Sequence, residues 1–124
     1  MSSNPLAFII EDDEDTSNIF SAALQTAGFE IEAILDGRQA QERLREETPS
    51  IVILDLHLPH ASGREILEQI RSDERLKGIP VILATADQRM ATELESDANI
   101  VLIKPISFNQ LSILSKRLHS RYVS

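Results

Sequence analysis

Cysteine is missing from all 124 residues. Its absence excludes a disulfide framework and any thiolate-held metal, and suits a reducing cytosol. No apolar run approaches the ~18 residues of a membrane-spanning helix, and the opening Met-Ser-Ser-Asn-Pro lacks the basic and apolar regions of a secretory signal. Stretches rich in Pro, Gly and Ser are absent away from the two ends, so no linker divides the chain. Basic charge is also short. The net charge of −8 and pI of about 4.8 disfavour non-specific binding to nucleic acid or to anionic lipid. The expectation is a soluble cytoplasmic domain without a nucleic-acid or membrane partner of its own.

What is present suffices for one packed core. Hydrophobic residues are 42% of the chain, and 124 residues suit one domain spanning 1–124. Short apolar runs alternate with helical patterns. Leu6-Ala7-Phe8-Ile9-Ile10 is continuous and ends in acids, as expected of a strand buried on both faces. Ile19, Ala23, Leu24 and Ala27 recur at helical spacing, and Gly28 stops that helix. Glu30 to Leu35 is a more polar strand, nearer a sheet edge. Asp36-Gly37 opens a helix carrying Ala40 and Leu44. Ile51-Val52-Ile53-Leu54, closed by Asp55, has the pattern of a central strand. A helix with Ile66, Leu67 and Ile70 comes next. Val81-Ile82-Leu83-Ala84 is the fourth strand, ending at Thr85. Weak helical patterning runs from Asp87 to Glu95 through Met90 and Leu94. Ile100-Val101-Leu102-Ile103 is the fifth strand, ended by Lys104-Pro105. Ser107 with Gln110 caps a last helix whose face is Leu111, Leu114 and Leu118. Five strands alternating with five helices imply an α/β fold, a parallel sheet with helices on both faces.

Ligands of such a sheet gather at the carboxyl ends of its strands. Those ends are Glu11 and Asp12 after strand one, Asp55 after strand three, Thr85 after strand four and Lys104 after strand five. Singly, each has an ordinary explanation: a turn or cap for Asp, strand propensity for Thr, a solvated charge for Lys. The acidic run Glu11 to Asp15 also suits a helix start. Together on one rim, three carboxylates repel unless a cation neutralises them, a cost that structure alone does not explain. Oxygen ligands suit a hard cation, Mg²⁺ or Mn²⁺. A carboxylate beside such an ion can take a phosphoryl group as an acyl phosphate, with an ammonium and a hydroxyl stabilising the transferred charge.

The motifs Ile9-Ile10-Glu11-Asp12, Val52-Ile53-Leu54-Asp55 with Leu58-Pro59 and Gly63, Leu83-Ala84-Thr85-Ala86, and Ile103-Lys104-Pro105 occur in that order. In this the chain resembles the bacterial response-regulator receiver family over roughly Leu6 to Leu118. The resemblance implies the flavodoxin-like strand order 2-1-3-4-5. It implies Asp55 as phosphoacceptor, with Asp12, Asp55 and the backbone carbonyl of His57 on the metal and Glu11 acting through water. It implies that Thr85 and Lys104 contact the phosphoryl group, and that the Lys104-Pro105 bond is often cis in relatives. The implied partners are a histidine kinase or histidine phosphotransfer protein, and a downstream protein target or output domain. The chain is then a phosphoacceptor rather than an enzyme, although the same groups allow self-catalysed transfer and loss of the phosphoryl group.

Two features depart from the family pattern. Val101 stands where relatives commonly carry a Tyr or Phe switch. The segment from Thr85 to Lys104 is about three residues short, with Asp97-Ala98-Asn99 in place of small residues, so a short or irregular fourth helix is expected. A receiver-fold interaction module that is never phosphorylated remains an alternative. A haloacid-dehalogenase type phosphatase would want a second Asp where His57 stands, an EF-hand would want a Gly at the sixth loop position, and a flavodoxin would want a phosphate-cradling loop where the acids of strand one lie. Two further side chains keep two readings each. Asp87 is either a helix cap or a group orienting an attacking water, and His57 is either a solvated loop residue or a tuner of water access.

Overall fold

Each of the five apolar runs forms a strand in the computed structural model, which describes residues 4–123. The elements in chain order are β1 (Leu6–Ile10), α1 (Glu14–Thr26), β2 (Glu30–Ile34), α2 (Gly37–Glu46), β3 (Ile51–Asp55), α3 (Gly63–Ser72), β4 (Val81–Thr85), α4 (Gln88–Leu94), β5 (Ile100–Ile103) and α5 (Phe108–Val123). The strands pair in parallel in the order β2-β1-β3-β4-β5. This is the order that the resemblance implies, with the polar β2 on an edge.

Alternation along the strands divides the core into two layers. Phe8, Ile10, Val52, Leu54 and Leu83 face α2 and α3 through Ala40, Leu44, Ile66, Leu67 and Ile70. Ala7, Ile9, Ile51, Ile53, Ile82 and Ala84 face α1 and α5 through Phe20, Ala23, Leu24, Leu111 and Leu118. Because both faces are covered, every residue of β3 and β4 is buried.

Helix starts follow from short polar side chains that accept otherwise unpaired backbone N–H groups. Asp13, Asp36, Ser62 and Asp87 do so for α1, α2, α3 and α4. The Ser107 hydroxyl accepts the Gln110 N–H at 3.0 Å at the start of α5. Gly28 adopts φ +103°, the left-handed conformation that ends α1 and favours glycine.

Two expectations are corrected. Ile19 is 49% exposed, and Phe20 takes its place on the buried face of α1. Ala23 and Leu24 keep their expected places on the buried face, which Ser17 and Phe20 complete in place of Ile19. Leu35 lies beyond β2 and is exposed, because the sheet pairing ends at Ile34. Leu114 packs with Leu111 and Leu118 against the core as expected, partly buried, with Ser115 fully buried beside it.

The fourth helix is short, as the abbreviated segment suggests, and a polar tie holds the turn between it and β5. Arg71 on α3 donates to the carbonyls of Asp97 (2.7 Å), Lys77 (2.9 Å) and Ile79 (2.8 Å) and to Asn99 Oδ1 (3.1 Å). Asn99 in turn exchanges bonds with Val81, accepting its N–H at Oδ1 (2.8 Å) and donating its own N–H to the Val81 carbonyl (3.0 Å). The turn before β4 and the turn before β5 are thereby fastened to one guanidinium. Arg71→Ala is expected to lower unfolding stability by about 1–3 kcal/mol, since it leaves several carbonyls without their donor. Urea denaturation measures this, and a loss below about 0.5 kcal/mol, the level of an ordinary surface change, would show that the tie contributes little.

Candidate functional site

Parallel strands bring their carboxyl ends to one rim, and the residues closing β1, β3, β4 and β5 meet there. Asp55 is the last residue of β3 and only 4% exposed; Glu11 follows β1 at 1%, and Thr85 ends β4 at 0%. Asp12 is exposed at the mouth. One ligand oxygen from each of Glu11, Asp12 and Asp55 lies within 4.8 Å of the others. Lys104, just beyond β5, places Nζ 2.6 Å from Glu11 Oε1 and 3.4 Å from Asp55 Oδ1. The Lys104-Pro105 bond is cis.

The acceptor strand is held close to the next helix. A Cβ at Gly63 would lie 2.5 Å from the Asp55 carbonyl oxygen and 2.6 Å from Leu56 Cα, so only glycine lets α3 begin here. The Thr85 hydroxyl accepts the Asp87 N–H at 3.0 Å, which leaves its own hydrogen as a donor. The Asp87 carboxylate accepts from the N–H groups of Arg89 and Met90. Of its two readings, the cap is the one this geometry engages. His57 is exposed, and its N–H lies 3.4 Å from Asp55 Oδ1. Val101 is partly buried against the core layer of α2 and α3.

Burial pushes the Glu11 carboxyl above its ordinary range, and the hydrogen bond from Lys104 only partly offsets this. Burial alone would lower Lys104, but its bond to Glu11 and the charge of Asp55 outweigh that and hold it as an ammonium. The arrangement concentrates negative charge that one lysine does not balance. The pairing of Lys104 with Glu11 was missed in the sequence, where Lys104 reads only as a partner of the phosphoryl group; 93 positions separate the two residues.

A family model, the response regulator receiver domain, matches residues 7–115. The chain belongs to this family. Among relatives of this receiver domain, the probable methanogenesis regulatory protein FilR2 of Methanothrix harundinacea is 34% identical, over 86% of this chain and 76% of its own length. The phosphate regulon transcriptional regulatory protein PhoB of Rhizobium meliloti is 32% identical over 94% of this chain but 53% of its own length. The receiver domain thus spans about half of that longer relative. A solved structure, the signal receiver domain of a signal transduction histidine kinase from Syntrophus aciditrophicus, superposes with a TM-score of 0.86 at 28% identity. That match covers 96% of this chain and 92% of the other. Response regulator receivers are modules of two-component signalling, and among the described residues no helix is long and apolar enough to cross a membrane.

The raised Glu11 value carries a signed consequence. Below its ordinary value of 4.5 the group is neutral in both folded and unfolded chains; as pH rises toward the raised folded value, ionisation favours the unfolded chain. Glu11→Gln is therefore expected to gain stability over wild type as pH climbs through that window, measured by metal-free denaturation between about pH 4 and 8. A stability difference that stays flat with pH would show that Glu11 ionises without penalty.

Proposed function

We propose that the chain acts as one receiver domain across residues 1–124 and accepts a phosphoryl group on Asp55 from a histidine kinase or a histidine phosphotransfer protein. The observation that carries this reading is the buried Asp55 carboxylate, grouped with Glu11 and Asp12 and lying 3.4 Å from the Lys104 ammonium.

The donor set fits a hard divalent cation. All three side chains offer carboxylate oxygens, none is Cys or His, and the charge they concentrate needs a counter-ion. Mg²⁺ or Mn²⁺ would be held by Asp12, Asp55 and the His57 carbonyl, with Glu11 acting through water. Bound there, the cation would neutralise charge on the phosphoryl oxygens during transfer.

The protein groups do the rest. An Asp55 side-chain oxygen forms the new bond to phosphorus while the bond from phosphorus to the donor's imidazole nitrogen breaks, and that nitrogen keeps the electron pair. Lys104 supplies a positive charge for the incoming phosphoryl oxygens, which requires it to shift from Glu11. Thr85 offers a hydroxyl hydrogen from a fixed position. On this reading Asp55 is itself the group modified, so the role is that of a phosphoacceptor. Beside Lys104, a cavity of about 330 Å³ lined by Thr16, Ile19, Phe20, Pro105 and Ile106 presents exposed apolar surface to a protein donor. The modified domain would pass the signal on by changing its affinity for a downstream protein or output domain.

Incubation with acetyl phosphate and Mg²⁺ is expected to add one phosphoryl group, seen by mass and ³¹P spectroscopy. Asp55→Asn should abolish the signal while leaving the fold intact, because the amide matches the carboxylate in shape but is a poor nucleophile. Excess chelator should abolish it in the wild type as well. A full phosphoryl signal in the Asp55 variant would assign the acceptor elsewhere.

A further inference from the structure

The loop from β3 to α3 leaves the site at Asp55, carries His57, and then reaches a second cluster that phosphoacceptance does not use. His60 adopts φ 71°, the one positive φ at a non-glycine residue among the described residues. Such a conformation is costly and persists where surrounding contacts hold it. Here the contacts run to the start of α2. One oxygen of Asp36 accepts the N–H groups of Arg38 (2.7 Å) and Gln39 (3.2 Å), and the other bonds His60 Nδ1. Beside this pair the Gly37 N–H donates to the Pro59 carbonyl at 3.0 Å. The backbones approach so closely that a Cβ at Gly37 would lie 2.1 Å from the Ala61 oxygen. The Asp36 carboxyl is held below its ordinary range, first of all by His60.

We propose that Asp36 and His60 form a charge-dependent clamp that positions the β3–α3 loop, and with it the His57 carbonyl, for cation binding. The inference rests on the reading that this site holds a divalent cation. Both are positioning residues, acting through the loop backbone. Asp36, held below its ordinary range, supplies the negative partner of the pair. A neutral ring can donate one hydrogen bond, whereas a protonated ring adds charge attraction. Other charged groups stand on the flanking segments: Arg38 on α2, His57 on the loop itself, and Arg64 and Glu65 on α3. Arg64 pairs with Glu93, and Glu65 bonds Ser62. Among these, Asp36 is the group bonded to the His60 ring. The clamp is therefore stronger with a protonated ring than with a neutral one.

The test compares wild type, His60→Gln, Asp36→Asn and the double variant by Mg²⁺ titration at about pH 5.5 and about pH 8.5, either side of the usual imidazole range. Asparagine is an equally good helix cap, so Asp36→Asn removes charge without uncapping α2. Each single variant should bind Mg²⁺ about fivefold more weakly than wild type at the lower pH, and within about twofold at the higher, since removing a group that orients a ligand weakens metal binding. The double variant should be no weaker than either single one. Exchange of the Gly37 amide, measured without metal, should quicken in the variants at the lower pH. Equal Mg²⁺ affinities at both pH values would overturn the proposal, even if the amide responds. An unchanged Gly37 amide would overturn the clamp itself. Failure of wild type to bind Mg²⁺ would overturn the cation reading, while the amide would still report whether the clamp exists.

Discussion

Lys104 reaches from the end of β5 into a rim where Glu11 and Asp55 are both nearly sealed from solvent, and the surrounding structure is organised by the charge it leaves unbalanced. Burying one carboxylate without a partner is expensive, and burying two beside a third needs a compensating positive charge. A single ammonium divided between Glu11 at 2.6 Å and Asp55 at 3.4 Å offsets part of that cost. The remainder is a standing attraction for a cation. Lys104 is also the positive group that the proposed phosphoryl transfer would draw from Glu11 toward new negative charge on Asp55. The same electrostatic imbalance underlies both the proposed cation site and the proposed shift of Lys104 away from Glu11.

The rigid part of this arrangement follows from packing. β3 and β4 are buried throughout, so Asp55 and Thr85 stand at the ends of strands that have little freedom to shift. Close backbone approaches at Gly63 and Gly37 fix both ends of the loop that leaves Asp55. The proposed acceptor is thus mounted on strands that are buried on both faces. On the other side, α4 has 7 residues and its outgoing turn is tied to α3 through Arg71. Val101 packs against the core layer of α2 and α3 in place of an aromatic residue, so that position offers no ring to rotate inward.

Most of this fold could be read from the chain because its signals are local. Continuous apolar runs such as Ile51 to Leu54 declare strands covered on both faces, and a polar residue closing each run marks the rim. Asp55, Thr85 and Lys104 were legible for that reason, and strand order came from family motifs. The features that stayed hidden depend on tertiary phase or distance. Ile19 and Phe20 are neighbours, and which of them faces inward is set by how α1 packs on the sheet and α5. The Glu11–Lys104 and Asp36–His60 pairs join residues 93 and 24 positions apart, and neither has a periodic signature. His60 in particular looks like an ordinary loop residue until its φ of 71° and its partner are seen together.

The carboxylate rim concentrates more negative charge than Lys104 balances, and its affinity for a cation is measured most directly by thermal unfolding with and without Mg²⁺. A ligand that binds only the folded chain stabilises it by about 2.7 kcal/mol at a hundredfold excess over its dissociation constant. The account predicts a melting temperature that climbs with Mg²⁺ concentration in the wild type, and a climb mostly lost in Asp12→Ala, which removes the exposed carboxylate of the group. The same Mg²⁺ response in both proteins, or none in either, would contradict it.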